Sequence, residues 1–192
     1  EDLQRNQVLP LPIPPYQETV KVNAGKSTNK GIEIEMNYLV TENFRIDANV
    51  ATQDHKYDVF LWDESPNDGV DNPTDFSGFE LPFSPELSWG LSLTYDQELG
   101  ANGSITYNVL GNYQDEAQTQ PTNPIYSQLE DRTLIDANVT WRNVDDTYWV
   151  TIYGKNLTDE TYRVGSNSVA GLWNFTLYGE PLEYGIEAGY RW

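Results

Sequence analysis

The sequence predicts an all-β fold, specifically a stretch of antiparallel transmembrane β-barrel wall. Seven segments alternate apolar and polar residues, the period of a strand with two unlike faces. The connections between them alternate in length, short then long. On the apolar side of each segment, aromatic residues lie beside the short connections, as expected for rings at the headgroup level of a bilayer. We therefore predict eight membrane-interface aromatics: Tyr38, Phe44, Tyr95, Tyr107, Trp141, Tyr148, Tyr190 and Trp192.

Composition agrees with a membrane wall of this kind. The chain has 192 residues, of which 38% are hydrophobic, and its mean hydropathy is -0.61. It has no apolar run of about 18 residues that would make a membrane helix. A barrel strand needs only about 9–11 residues, half of which face a polar lumen, so low mean hydropathy is compatible with a membrane.

Charge and residue usage exclude several functions. The formal net charge of -19 disfavours nucleic acid as a partner, because a phosphate backbone would be repelled. Cysteine is absent and His55 is the single histidine, so thiolate sites and histidine pairs are unavailable for a metal or a catalytic relay. We expect neither an enzyme nor a cofactor. The start at Glu1 without a signal peptide leads us to expect a mature or truncated product.

The individual strands follow from the apolar alternation. A weak partial strand at 2–9 ends at a proline-rich loop, since proline cannot donate to a ladder. The remaining predicted strands cover residues 20–40, 44 to about 59, 87–96, 105–113, 135–141, 148–155 and 184–192. Long loops are predicted at 60–85, 118–128 and 156–181. The first is acidic and contains glycine and proline, and the second contains Pro121 and Pro124.

These segments make about eight antiparallel strands. Short connections follow the second, fourth and sixth strands, and long ones follow the first, third, fifth and seventh. Outer-membrane barrels have short periplasmic turns and longer outer loops. The C-terminus is therefore predicted on the periplasmic side of the outer membrane.

Three segments resemble TonB-dependent outer-membrane receptors. They are Asn-Ala-Gly-Lys-Ser-Thr-Asn-Lys-Gly-Ile-Glu-Ile-Glu at 23–35, Gly-Lys-Asn-Leu-Thr-Asp-Glu-Thr-Tyr at 154–162, and Tyr-Gly-Glu-Pro at 178–181 before a last strand that ends in an aromatic. Their order and their distances from the C-terminus also fit this family. The resemblance covers nearly the whole chain from Val20 to Trp192.

The resemblance implies a 22-stranded barrel with an N-terminal plug domain. Residues 1–192 would supply the last eight or so strands of the barrel domain and no plug. It also implies import of a ferric siderophore, vitamin or glycan, powered by the TonB complex, with outer-membrane lipid and the barrel-assembly machinery as further partners. The terminal pattern resembles the assembly signal of such barrels: Tyr184, Ile186, Ala188, Tyr190 and Trp192.

The long loops hold the candidate binding residues. Aromatic rings there could stack on a small-molecule cargo or pack the loops together; the candidates are Trp62, Phe76, Phe79, Trp173, Phe175 and Tyr178. Carboxylates at Asp63, Asp68, Asp71 and Asp75 are weak calcium candidates, because their spacing does not match an EF-hand loop. His55 is predicted as a strand residue near a loop, and the Gly154–Asp159 motif as a structural turn.

The predicted function is therefore outer-membrane active transport. Two alternatives share the alternating pattern. A complete eight-stranded outer-membrane barrel would serve as an anchor or adhesin, and its weakness is the poor first strand, since closure needs matched edges. A soluble carbohydrate-binding β-sandwich would have one wet face on each sheet, but it does not explain aromatics confined to one end.

Overall fold

The computed structural model describes residues 3–10, 17–62, 73–122, 124–169 and 173–192. Its strands are β1 (Leu3–Pro10), β2 (Gln17–Thr41), β3 (Phe44–Trp62), β4 (Thr74–Asp75), β5 (Leu87–Glu98), β6 (Ser104–Gln114), β7 (Ala117–Gln118), β8 (Gln128–Leu129), β9 (Arg132–Arg142), β10 (Tyr148–Lys155), β11 (Arg163–Val169), β12 (Trp173–Tyr178) and β13 (Glu183–Tyr190). In the described part of the chain, no helix is long and apolar enough to cross a membrane.

Eight of these strands form one antiparallel meander. Their order is β1-β2-β3-β5-β6-β9-β10-β13, so each strand pairs with the next long strand along the chain. The predicted alternation of connections is confirmed, with 42–43, 99–103 and 143–147 at one end and 63–86, 115–131 and 156–182 at the other. Strands β1 and β13 are the two edges, so the described strands form an open wall.

The two faces of the wall have opposite chemistry. Strand register aligns Met36, Ala48, Leu91, Gly111 and Ile135 in one row across five strands. The adjacent row, on the other face, holds Glu35, Asn49, Gly90 and Asn112. We call these the apolar face and the polar face.

The apolar face is not the interior of a sandwich. Leu91 is 37% exposed, Val139 39% and Ile186 72%. Burial of these side chains beneath a second sheet would leave them nearly inaccessible, as in any two-layer core. The β-sandwich alternative is therefore wrong, and the barrel-wall prediction is confirmed.

Several strands were predicted too short. β2 has 25 residues and β3 has 19. β3 continues to Trp62 because its last residues carry the rings of a packed cluster. The predicted loop at 60–85 therefore begins as strand and contains β4, which pairs with β3. The loops at 118–128 and 156–181 contain the small hairpins β7–β8 and β11–β12.

The pairing of β2 with β3 shifts register between Lys26 and Ser27, where Asp58 of β3 has no opposite residue. Gly25 has φ +140°, and a Cβ there would lie 1.8 Å from the carbonyl oxygen of Val59. Only glycine allows this backbone approach.

Candidate functional site

A packed aromatic cluster occupies the long-loop end of β3. Tyr57, Phe60 and Phe76 are 3%, 0% and 8% exposed, and Trp62 and Leu81 pack against them. The ring centroids of Tyr57 and Phe60 lie 4.5 Å apart, and those of Phe60 and Phe76 lie 5.7 Å apart. These rings form the main hydrophobic core within the described residues, and they fix the following loop against the wall.

Backbone hydrogen bonds hold that loop along β3. The Phe76 N–H donates to the Phe60 carbonyl at 2.8 Å, and the Gly78 N–H donates to the Tyr57 carbonyl at 2.7 Å. Residues 73–86 therefore line the edge of β3 instead of projecting freely. Register places Tyr57 on the same face as Asn49, so the cluster lies on the polar face.

His55 joins the loop to this cluster. It is 4% exposed, and its Nδ1 accepts a hydrogen bond of 3.1 Å from the Leu81 backbone N–H. Accepting at Nδ1 leaves the ring proton of a neutral imidazole on Nε2. His55 is thus a strand residue beside a loop, as predicted.

The predicted calcium candidates are only partly described. Asp63, Asp68 and Asp71 lie outside the described residues. Asp75 accepts a hydrogen bond from the Ser77 backbone N–H at 2.9 Å, and the Ser77 hydroxyl and N–H hold the pKa of Asp75 below its ordinary value. Across the described ranges, no three carboxylate or histidine side chains group as metal ligands.

The three long loops are bonded to one another in series. The Phe83 N–H donates to the Gln118 carbonyl at 2.7 Å, which joins loop 63–86 to loop 115–131. The Ser166 hydroxyl donates to the Tyr126 carbonyl at 2.7 Å and lies 3.0 Å from the Thr119 hydroxyl oxygen. These contacts join loop 115–131 to the β11–β12 hairpin. The long-loop end therefore presents one connected surface.

An ion pair and a cation–π contact fix the base of that hairpin. The Arg163 guanidinium donates two hydrogen bonds to the Glu130 carboxylate. Hydrogen bonding to Arg163 lowers the pKa of Glu130, and hydrogen bonding to Glu130 raises the pKa of Arg163. The Arg132 guanidinium carbon lies 5.0 Å from the centre of the Tyr162 ring.

The Gly154–Asp159 motif is a structural turn, as predicted. Asn156 is 3% exposed with φ +47°. Its Nδ2 donates to the carbonyls of Glu160 and Glu180 at 2.8 and 3.1 Å, and its Oδ1 accepts from the Glu160 N–H at 2.9 Å. One side chain therefore ties the first residues of loop 156–182 to its last residues.

The six predicted contact aromatics fall into two groups. Trp62, Phe76 and Phe79 lie in or beside the packed cluster, and Phe76 is buried there. Trp173, Phe175 and Tyr178 lie on β12, a strand exposed along its whole length, and are 66%, 43% and 62% exposed. Trp173 and Phe175 share one side of that strand because they are two residues apart. Their rings are accessible from outside the loop surface.

The predicted interface aromatics lie near the short-turn edge, and the strand register aligns them. Phe44, Tyr95 and Tyr107 stand opposite one another across three strands. Tyr148 pairs with Tyr190, with ring centroids 5.0 Å apart, and Tyr190 is 6.3 Å from Trp192.

Sequence reasoning missed a second pair near the other end. Trp89 and Tyr113 stack on the apolar face with centroids 5.9 Å apart and an interplanar angle of 16°. The sequence could have indicated this pair, since both residues are at apolar positions of their strands and lie next to long loops. Leu91, Leu93 and Val109 lie between this pair and the pair Tyr95–Tyr107, which gives an apolar band bounded by rings on both sides.

The polar face carries its own hydrogen-bonded ladder. The Asn108 side-chain amide donates to the hydroxyls of Ser92 and Thr94 at 2.9 and 3.0 Å. The hydroxyl oxygens of Thr140 and Thr151 lie 2.8 Å apart across β9 and β10. Gly90 and Ser92 leave an open depression beside Asp47 and Asn112.

An open antiparallel wall with an apolar band, aromatic rings at both ends of that band and a polar opposite face defines a segment of an outer-membrane type β-barrel. Residues 3–157 match the family described as TonB dependent receptor-like, beta-barrel. The chain belongs to this family, which confirms the resemblance found in the sequence.

Solved structures give the same fold. The ferric yersiniabactin uptake receptor FyuA from Yersinia pestis is 17% identical with a TM-score of 0.74, over 89% of this chain and 24% of that one. The siderophore receptor PiuA from Acinetobacter baumannii is 18% identical with a TM-score of 0.69, over 96% and 24%. The FrpB iron transporter from Neisseria meningitidis is 18% identical with a TM-score of 0.62, over 98% and 27%.

The chain therefore spans about a quarter of the length of these receptors. At these identities the likeness establishes the fold. No curated protein matches the chain significantly.

Proposed function

We propose that this chain is the C-terminal part of the barrel domain of an outer-membrane receptor that imports its cargo with energy from TonB. The observation that carries the proposal is the family match over a wall whose apolar band is bounded by aromatic rings at both ends. In this proposal the wall catalyses no covalent reaction. Its partners would be outer-membrane lipid, the receptor's own plug domain and the TonB complex.

Orientation follows from the connections. Short turns belong to the periplasmic side of such barrels, so the C-terminus would be periplasmic and the three bonded loops would face the outside. The eight aromatics near the short turns would lie at the inner headgroup level. The edge strand β13, whose exposed residues Tyr184, Ile186, Ala188 and Tyr190 are followed by Trp192, would pair with a strand of the barrel-assembly machinery by β-augmentation.

We propose a ferric siderophore as cargo. The names of the structural neighbours support this class, since they describe uptake of ferric yersiniabactin, a siderophore receptor and an iron transporter. Trp173, Phe175 and Tyr178 would contact the cargo from the outer surface, because their rings are exposed on β12. Phe76 would support the loop from below, because it is buried.

The test uses the complete receptor that contains this chain, in cells that lack other siderophore receptors. Deleting it should abolish growth on at least one iron-loaded siderophore from a panel, and restoring it should restore growth. Trp173→Ala and Phe175→Ala should each weaken binding of that siderophore about 2- to 10-fold, since one ring contact contributes roughly 0.5–1.5 kcal/mol.

Ile125→Ala is the matched control, because Ile125 is an exposed loop residue without a ring and is 91% exposed. Binding should be unchanged in this variant. If growth on every siderophore is independent of the receptor, the cargo class is wrong. If Ile125→Ala weakens binding as much as Trp173→Ala, the contact assignment is wrong.

A further inference from the structure

The last strand carries two glycines on its polar face, each opposite an aromatic ring of β10. Gly189 pairs with Trp149, and Gly185 pairs with Tyr153. On the outer side of the same two strands, the pairs are Val150 with Ala188 and Ile152 with Ile186. Aromatic side chains on the polar face need a reason, because lumen-facing positions of a barrel are ordinarily polar.

The rings occupy the volume that a side chain on β13 would fill. A Cβ at Gly189 would lie 2.4 Å from Cε2 and Nε1 of Trp149. A Cβ at Gly185 would lie 2.6 Å from Oη and 2.7 Å from Cζ of Tyr153. Such approaches are possible only because glycine has no Cβ. Gly111 differs, since a Cβ there would meet only ring atoms of Trp89 at 3.5 Å or more.

The same contact recurs just before this strand. A Cβ at Gly179 would lie 2.0 Å from Cζ of Tyr162, and the Gly179 N–H donates to the Tyr162 carbonyl at 2.9 Å. Gly179, Gly185 and Gly189 are thus each covered by a ring from the segment that precedes them. This arrangement connects the two motifs around Tyr162 and Gly179 that were noted in the sequence.

The alternation of apolar and polar residues does not by itself fix the register of β13 against β10. A slip by one residue would turn apolar side chains to the polar face, but a slip by two would keep them outward. Inward-facing positions of β13 are Glu183, Gly185, Glu187, Gly189 and the following Arg191. A slip by two would place both rings opposite charged side chains, and a slip by four would place only one ring on glycine.

We propose that Trp149 and Tyr153 set the register of the last strand by packing on Gly189 and Gly185. Only the native alignment satisfies both contacts. The Tyr153 hydroxyl adds a hydrogen bond of 3.1 Å to the Glu183 carboxylate of β13. This contact attaches the ring to the same alignment.

Disulfide trapping in the complete receptor measures the register directly. This chain has no cysteine of its own. Ile152→Cys with Ile186→Cys reports the native pairing, because directly opposite Cα atoms are about 4.5–5.5 Å apart. Ile152→Cys with Ala188→Cys and with Tyr184→Cys report slips by two in either direction. In the native register those pairs are about 7–8 Å apart, beyond easy bridging.

The wild-type background should form the native disulfide and little of the slipped ones. Adding Trp149→Ala and Tyr153→Ala together should raise the ratio of slipped to native disulfide about fivefold or more. An unchanged ratio in the assembled double variant would overturn the proposal. Retaining rings, with Trp149→Phe and Tyr153→Phe, should keep the native ratio.

A second experiment does not require the ring-free double variant to assemble. Gly189→Ala should lower the yield of folded, heat-modifiable receptor, and the yield should recover when Trp149→Ala is added. Gly111→Ala is the matched control and should fold as wild type. If Gly189→Ala is harmless, or equally harmful with and without Trp149, the ring contact does not set the register.

Discussion

At the scale of the residue, Asn156 joins the two ends of loop 156–182. Its backbone is left-handed, with φ +47°, and its side chain bonds to Glu160 and Glu180 from a buried position. Asparagine tolerates this conformation better than most residues and supplies both donors and an acceptor. The conformation and the hydrogen bonds at position 156 therefore favour asparagine immediately after β10.

We expect Asn156→Ala to lower the free energy of unfolding of the receptor by about 2–4 kcal/mol, from lost hydrogen bonds and the left-handed backbone. Asn156→Gly loses the same bonds but tolerates the positive φ, so its loss should be smaller by about 1 kcal/mol. Denaturant titration in detergent measures both. Equal losses in the two variants would contradict the role of the backbone conformation.

The Glu130–Arg163 pair predicts a pH dependence. Because Arg163 lowers the pKa of Glu130, the pair stabilises the fold above the ordinary glutamate pKa of 4.5. This contribution is lost as the pH falls through the lower folded-state pKa. Half-exposed ion pairs contribute only about 0.2–1 kcal/mol, and the Glu130 side chain is 62% exposed.

Glu130→Gln should therefore lower the midpoint of thermal unfolding at pH 7, and its gap to wild type should be smaller at pH 3, because protonation of the wild-type carboxylate removes the ion pair as the pH falls through its folded-state pKa. Glu42→Gln, in a short turn at the other end, controls for the loss of one negative charge. A gap between Glu130→Gln and wild type of the same size at both pH values would contradict the assignment.

At the scale of the element, the alternating pattern was enough to predict the eight long strands and the positions of the short turns. Period-two alternation is a local signal, so it needs no knowledge of distant contacts. The end of β3 was predicted too early, because Phe60 and Trp62 continue the strand to pack with Phe76 across an intervening loop. Such a contact is not visible in a local pattern.

The bonding between the long loops was also beyond sequence reasoning. Thr119 and Ser166 are 47 residues apart, and nothing in either segment identifies the other as its partner. Turn residues indicate where a loop is, whereas the contact between two loops depends on the strand order that brings them together. The six candidate contact residues were predicted because they are aromatic and lie in long loops. Only the fold shows that Trp173 is exposed and Phe76 is buried.

We expect Ser166→Ala to loosen the contact between the two hairpins without affecting the wall. The variant removes the hydrogen bond to Tyr126 and the hydroxyl contact with Thr119, each of which contributes about 0.5–1.5 kcal/mol. The hydrogen bond from the Thr119 hydroxyl to the Ser166 carbonyl remains. Hydrogen exchange should become faster together in residues 115–131 and 163–169, and stay unchanged in β9 and β10. Ser84→Ala is the control, because its hydroxyl donates to Pro82 within one loop. Faster exchange in one hairpin alone would contradict the coupling.

At the scale of the whole molecule, a sheet with one polar and one apolar face is stable when water covers the first and hydrocarbon covers the second. Water can hydrate the polar face, but the apolar rows around Leu91, Val139 and Ile186 remain exposed across the strands from β2 to β13. Exposed apolar surface on this scale is unfavourable in water and favourable against hydrocarbon. The backbone tolerates hydrocarbon because strand pairing satisfies its hydrogen bonds within the sheet.

This asymmetry predicts opposite outcomes for the same substitution at adjacent positions. Leu91 lies within the apolar band, between the rings of Trp89 and the pair Tyr95–Tyr107, whereas Ser92 borders the open depression of the polar face. Leu91→Arg would place a charge in hydrocarbon, which costs about 2–4 kcal/mol near the bilayer midplane. Ser92→Arg keeps its charge in water and loses one hydrogen bond from Asn108, a cost of about 0.5–1.5 kcal/mol.

Folding of the complete receptor into lipid vesicles, followed by denaturant titration, separates the two. Leu91→Arg should shift the unfolding midpoint clearly more than Ser92→Arg. In detergent micelles, which deform around a charge more readily than a bilayer, the difference should shrink. If Ser92→Arg is the more harmful variant in vesicles, the polar face is the one in contact with lipid, and the assignment of the two faces is reversed.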